Sequence, residues 1–145
     1  MGQQQLFLVL LVVVLVGVAT IVAINTFGES TTNANREAVR QDLYSGAVNA
    51  DMIFEKPLMF DGADGDFTQV KDHLLRRLLI SITPVDEQDD VWRNENGIYK
   101  IDNLEKRSVT IRAQPASGGP DILAHIKKPE EQNDWVVNIL DDEQQ

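Results

Sequence analysis

The side chains with the widest chemical repertoire are scarce in this sequence. It has no cysteine and two histidines, His73 and His125. Without cysteine there are no thiolate nucleophiles, thiolate metal ligands or disulfides. Neither histidine has a Cys, Asp or His partner at metal-ligand spacing. His73 stands beside Arg76 and Arg77 and reads as a surface residue. His125 alternates with Ala124 and Ile126, which points it to solvent in a strand. Ser45 precedes Gly46 in YSGA on a predicted helix, which is not a nucleophile elbow. The pairs Asp89-Asp90 and Asp141-Asp142 are adjacent in predicted polar loops, with no sign of the buried acid that general acid catalysis needs. No HExxH, P-loop or GxGxxG occurs. The expectation is a protein that is not an enzyme, with no cofactor and no small-molecule substrate.

One loop invites a metal reading. Residues 61–66, DGADGD, place Asp61, Asp64 and Asp66 among glycines. An EF-hand loop needs oxygens at alternate positions and a late glutamate. Here Ala63 and Gly65 follow Asp61 at the alternate positions, so the template fails. The expectation is no metal, with these three carboxylates as the residues to check.

The elements around these residues are more informative. Residues 1–28 carry no charged side chain, and the whole formal charge of −10 belongs to Glu29 onward. An acidic chain whose largest basic cluster is Arg76-Arg77 has no nucleic-acid footprint. Leu6 to Ile24 reads LFLVLLVVVLVGVATIVAI. As a helix it is roughly 28 Å long, close to the hydrocarbon thickness of a bilayer. It has no polar face, so lipid or protein must surround it. A cleaved signal peptide would begin with basic residues and have a shorter apolar run; a retained helix is the better reading. Arg36 and Arg40 on the C-terminal side would, by the positive-inside rule, hold that side in the cytoplasm, whereas long domains translocate regardless of such charges.

Residues 25–33 predict a joint, because glycine and small polar residues favour a helix end or kink. Asn33 or Asn35 then caps an amphipathic helix. Val39, Leu43, Ala47, Ala50 and Phe54 form its apolar stripe, and Pro57 ends it. A short helix is predicted over 67–82, closed by Pro84, and a polar loop over 85–96 anchored by Trp92. From Asn96-Gly97 onward the period changes to two, giving four strands in an antiparallel meander. The fold class is therefore α+β: a hydrophobic helix (residues 1–28), a joint and amphipathic helix (29–57), and a globular head (58–145) whose sheet takes the amphipathic helix as its lid.

This layout resembles a type IV pilin-like protein, on LFLVLLVVVLVGVATIVAI, NREAVRQDLYSGAVNADMIFEKP and the sheet that starts at NGIYKID; the opening GQQQLFLVLLVVVLVGVA looks like a group of bacterial pilin-like small proteins. The resemblance implies a ladle-shaped subunit of an extracellular filament, a homo-oligomer with its helices bundled in the core and its acidic heads outside. Before assembly the helix sits in the inner membrane. The implied polymerisation core comprises Gln3, Gln4, Gln5, Leu6, Val9, Val13, Val16, Gly17, Ile21 and Ile24. Gly17 permits close approach and the β-branched valines act as stiff knobs. Two features depart from the family pattern. The sequence starts Met-Gly-Gln without a basic leader, and it has no glutamate near the start of the helix. The three glutamines either replace that glutamate by hydrogen bonding to neighbours or sit at the wet membrane surface. The alternative function is a single-pass, membrane-anchored envelope or pseudopilin-like module that binds or assembles other proteins.

Overall fold

A computed structural model of the chain describes residues 2–72, 74–86, 89–131 and 134–142. His73 lies outside the described residues. The chain divides into two compact units, Met1–Ala34 and Asn35–Gln145. Helix α1 spans Gly2–Glu55. Its first 33 or so residues are the described part of the first unit, and its remainder is the first element of the second.

The continuity of α1 corrects the expected joint over residues 25–33. The small polar residues there do not compete with the helix, because their side chains bond back onto it. The hydroxyls of Thr26, Thr31 and Thr32 donate to the carbonyls of Val22, Phe27 and Gly28, four residues earlier, at 2.9, 2.9 and 3.1 Å. Asn33 and Asn35 therefore cap nothing. Asn35 instead donates from Nδ2 to the Asn96 carbonyl and accepts from the Ser117 amide.

The second unit is α+β. Its sheet has six antiparallel strands in sequential order: β1 (Thr83–Asp86), β2 (Val91–Arg93), β3 (Gly97–Glu105), β4 (Ser108–Pro115), β5 (Ile122–Lys127) and β6 (Val136–Asp141). The meander is as expected, but it has two more strands. Residues 83–93 were hard to read as strands because β1 is an exposed edge. An edge strand carries Pro84 without losing a ladder bond and needs no apolar alternation. Trp92 on β2 is buried, and its Nε1 donates to Asp90. A bulge between Ile101 and Asn103 adds a residue to β3, so that Ile101 and Leu104 both pack against the core.

The predicted 67–82 helix is instead a 3-10 turn, Phe67–Val70, and a short α2, Leu74–Leu78. Phe67, Val70, Leu74, Leu75, Leu78 and Leu79 are all buried. Val39, Leu43, Ala47, Ala50 and Phe54 join this layer and the inner face of the sheet (Tyr99, Val109, Ile111, Ile122, Ile126) in one apolar cluster.

Candidate functional site

The N-terminal 33 or so residues of α1 are the first candidate. Gln3, Gln4, Gln5, Leu6, Val9, Val13, Val16, Gly17, Ile21 and Ile24 are all exposed. At about 100° per residue, the apolar seven from Leu6 to Ile24 fall within an arc of about 140°, a single wide stripe. The three glutamines spread over about 200° of the helix surface, so their amides point in different directions. A Cβ at Gly17 would meet nothing within 4 Å, so the glycine leaves an open notch. Thr20, the one polar side chain within the apolar run, donates to the Val16 carbonyl at 2.8 Å. Its polarity is thus satisfied on its own helix, and the segment presents almost only hydrocarbon. By length and composition this helix is compatible with crossing a membrane.

The acidic loop behaves differently from a metal site. After Pro57 a 3-10 turn, Leu58–Phe60, reverses the chain. The amides of Ala63, Gly65 and Asp64 then donate to the carbonyls of Ile53, Phe54 and Lys56 at 2.8, 2.8 and 2.9 Å. The loop is a cap that satisfies the orphan carbonyls at the end of α1. Asp61 pairs with Arg77 at 3.6 Å. Asp66 caps the next turn: the Thr68 hydroxyl and then its amide hold its carboxyl below the usual range. Asp64 is an exposed turn residue at φ 47°. Among the described residues no three His, Asp or Glu side chains are grouped to hold a metal.

Within the second unit, polar side chains flanking the apolar stripe of α1 fasten it to the sheet. Asp141 at the end of β6 accepts from Arg36 at 2.8 Å and from Arg40 at 3.0 Å. Lys128, almost buried, pairs with Glu55 and lies 5.2 Å from the Phe54 ring centre. Trp135 donates to Asp51 at 2.6 Å. On the other flank one oxygen of Asp42 accepts from Asn94, Asn96 and the Tyr99 hydroxyl at 2.8, 2.7 and 2.7 Å. In sequence these residues show only as positions off the stripe. Their partners lie 52 to 105 residues away, a separation that no local pattern encodes.

Burial, and then the bond to Asp42, pushes the Tyr99 phenol well above its ordinary 10.0. The unfolded chain then loses its proton first. The contribution of Tyr99 to stability is complete below about pH 10 and falls as pH rises further. Ultraviolet titration should find one of the two tyrosines resisting ionisation until the second unit unfolds in alkali.

On the outer face of the sheet Arg112 gathers Asp102, Asp142 and Asp121 at 3.1, 2.7 and 3.4 Å. Its hydrogen bonds hold the Asp102 carboxyl below the usual range. His125 is on this face, half-buried, with Nδ1 3.0 Å from the Thr110 hydroxyl. These contacts tie neighbouring strands and the turns beside them together. Neither a family model, a curated protein nor a solved structure matches this chain.

Proposed function

We propose that this chain is a non-enzymatic structural subunit, which homopolymerises through its N-terminal helix into an extracellular pilus-like filament. One observation carries the reading: Leu6 to Ile24 is a helix that is apolar on every side, with its side chains exposed. Such a surface is stable in lipid or among like helices and unstable in water. Passing from lipid to a bundle exposes no apolar surface, and packing gains dispersion contacts. The second unit supports the reading by completing its own apolar core.

Negative-stain microscopy of material sheared from cells separates this reading from a single-pass membrane anchor. Thin fibres that contain the chain support the polymer; a detergent-soluble monomer confined to membranes supports the anchor. The glutamines provide a sharper test. Replacing Gln3, Gln4 and Gln5 together with leucine should abolish or misregister the fibres, because their amides then no longer set the stagger of adjacent helices. Fibres of unchanged diameter and diffraction would place the three amides in water instead.

A further inference from the structure

The sequence contains a single Asn-Gly pair, Asn96-Gly97, at the turn between β2 and β3. In an unfolded chain such a pair is prone to lose its side-chain amide, because glycine leaves the following backbone nitrogen unhindered. The fold needs both residues. A Cβ at Gly97 would sit 2.4 Å from the Gln114 carbonyl oxygen, so only glycine fits the close approach to β4. Asn96 donates from Nδ2 to Asp42 at 2.7 Å, one of the bonds that fasten α1 to the sheet. The fold also restrains both reacting groups. The Gly97 amide is buried and donates to Asn94 Oδ1 at 3.1 Å. The Asn96 amide donates to the same oxygen at 2.9 Å. The Asn96 carbonyl accepts from the Ala116 amide at 2.8 Å and from Asn35 Nδ2 at 3.0 Å. With these bonds in place the Gly97 nitrogen and the Asn96 carboxamide are each turned toward another partner.

We propose that Asn96-Gly97 is a modification site, a deamidation switch that folding closes and that opens when the second unit unfolds. The Gly97 nitrogen attacks Asn96 Cγ. The N–Cγ bond forms, the Cγ–Nδ2 bond breaks, and ammonia leaves with the proton of the Gly97 amide. Water then opens the cyclic imide at either carbonyl and returns a proton to the nitrogen, leaving an aspartate or an isoaspartate. The net change is amide plus water to carboxylate plus ammonium. The product cannot remake the original contact. A carboxylate replaces the donor Nδ2 and faces the Asp42 oxygen that also accepts from Asn94 and Tyr99. Acceptor then meets acceptor, and like charge meets like charge. An isoaspartate also lengthens the backbone just where β3 begins its register with β4 at Gly97 and Pro115. Conversion therefore runs one way: a chain that lingers unfolded loses the means to dock α1 on the sheet again. The site does not depend on whether the chain forms filaments.

The full chain in detergent is held at mildly alkaline pH with and without guanidinium, then digested, and the peptide that carries Asn96 is followed by mass spectrometry. Conversion should be about tenfold or more slower without denaturant, because it then waits on local opening. Equal rates would mean that the fold leaves the pair free, and would overturn the proposal. The product is tested separately. Asn96→Asp should lower the urea midpoint of the second unit by about 1 M. Adding Asp42→Asn should restore most of that loss, because an amide again faces a carboxylate. An unchanged midpoint in Asn96→Asp would overturn the one-way step. A loss that Asp42→Asn leaves in place would overturn the part assigned to Asp42. Should Asn96→Asp fail to accumulate, recovery of folded protein on adding Asp42→Asn would support the proposal, and no recovery would overturn it.

Discussion

Replacing Val13 with aspartate is expected to cut fibre yield by about 100-fold or more while leaving the second unit folded. Val13 stands near the middle of the uncharged run and on the stripe shared with Leu6, Val9, Val16 and Ile24. A carboxylate at the centre of a membrane helix costs about 3 kcal/mol, and each 1.4 kcal/mol is a factor of ten. The same charge is as poorly solvated in a helix bundle as in lipid, so both the inserted precursor and the assembled form lose stability. Val13→Leu keeps the segment apolar and should assemble. The urea midpoint of the second unit, which holds no part of this stripe, should be the same in both variants. Normal fibre yield from Val13→Asp would mean that this face of the helix meets water in the assembled state.

The second large effect is expected at Gly62. A Cβ there would sit 1.9 Å from the Lys56 carbonyl oxygen, a backbone atom that cannot swing away. Accommodating it means pulling the return loop off the end of α1, which breaks the bonds from Ala63, Asp64 and Gly65 to the last helical carbonyls. Gly62→Ala should therefore cost about 3–5 kcal/mol, a large share of a typical domain's stability. Gly65→Ala supplies the control. Gly65 has φ 81° with open space around its Cβ position, so alanine there meets only the left-handed backbone penalty, about 1–2 kcal/mol. Urea unfolding of the two variants compares them directly. Equal losses would mean that the loop does not cap the helix as described.

The parts of this fold that were legible in the sequence are those with a local period. The helical stripe Val39, Leu43, Ala47, Ala50 and Phe54 is buried residue for residue, because each position sits a whole turn from the next and shares one covering sheet. Strands β3 to β6 were legible from the alternation of their sequence, although burial does not alternate through β4 and β5, where Val109, Thr110 and Ile111, and Ile122, Leu123 and Ala124, are all buried. Strands β1 and β2 were not. β1 is exposed throughout, and an exposed edge has no inward side chains to mark it. The joint at residues 25–33 was misread for a related reason. Threonine and asparagine favour helix ends in isolation, but a threonine hydroxyl that bonds its own helix is compatible with continuation.

The acidic loop carries a similar lesson about sites. DGADGD has the composition of a cation loop, yet Gly62 serves the close approach of one backbone to another, Gly65 serves a left-handed turn with open space around it, and the aspartates serve turns and a cap. A signal was present in the sequence: glycine soon after a proline-terminated helix is the usual mark of a C-terminal cap.

The central claim is that the apolar N-terminal segment ends in the company of sister helices. The most direct measurement is mass spectrometry of sheared surface material combined with negative-stain imaging of the same fraction. The expected result is thin fibres whose subunit is this chain with the segment from Leu6 to Ile24 still attached. Recovery of the native protein as a dissolved, unassociated monomer that retains this segment would contradict the account.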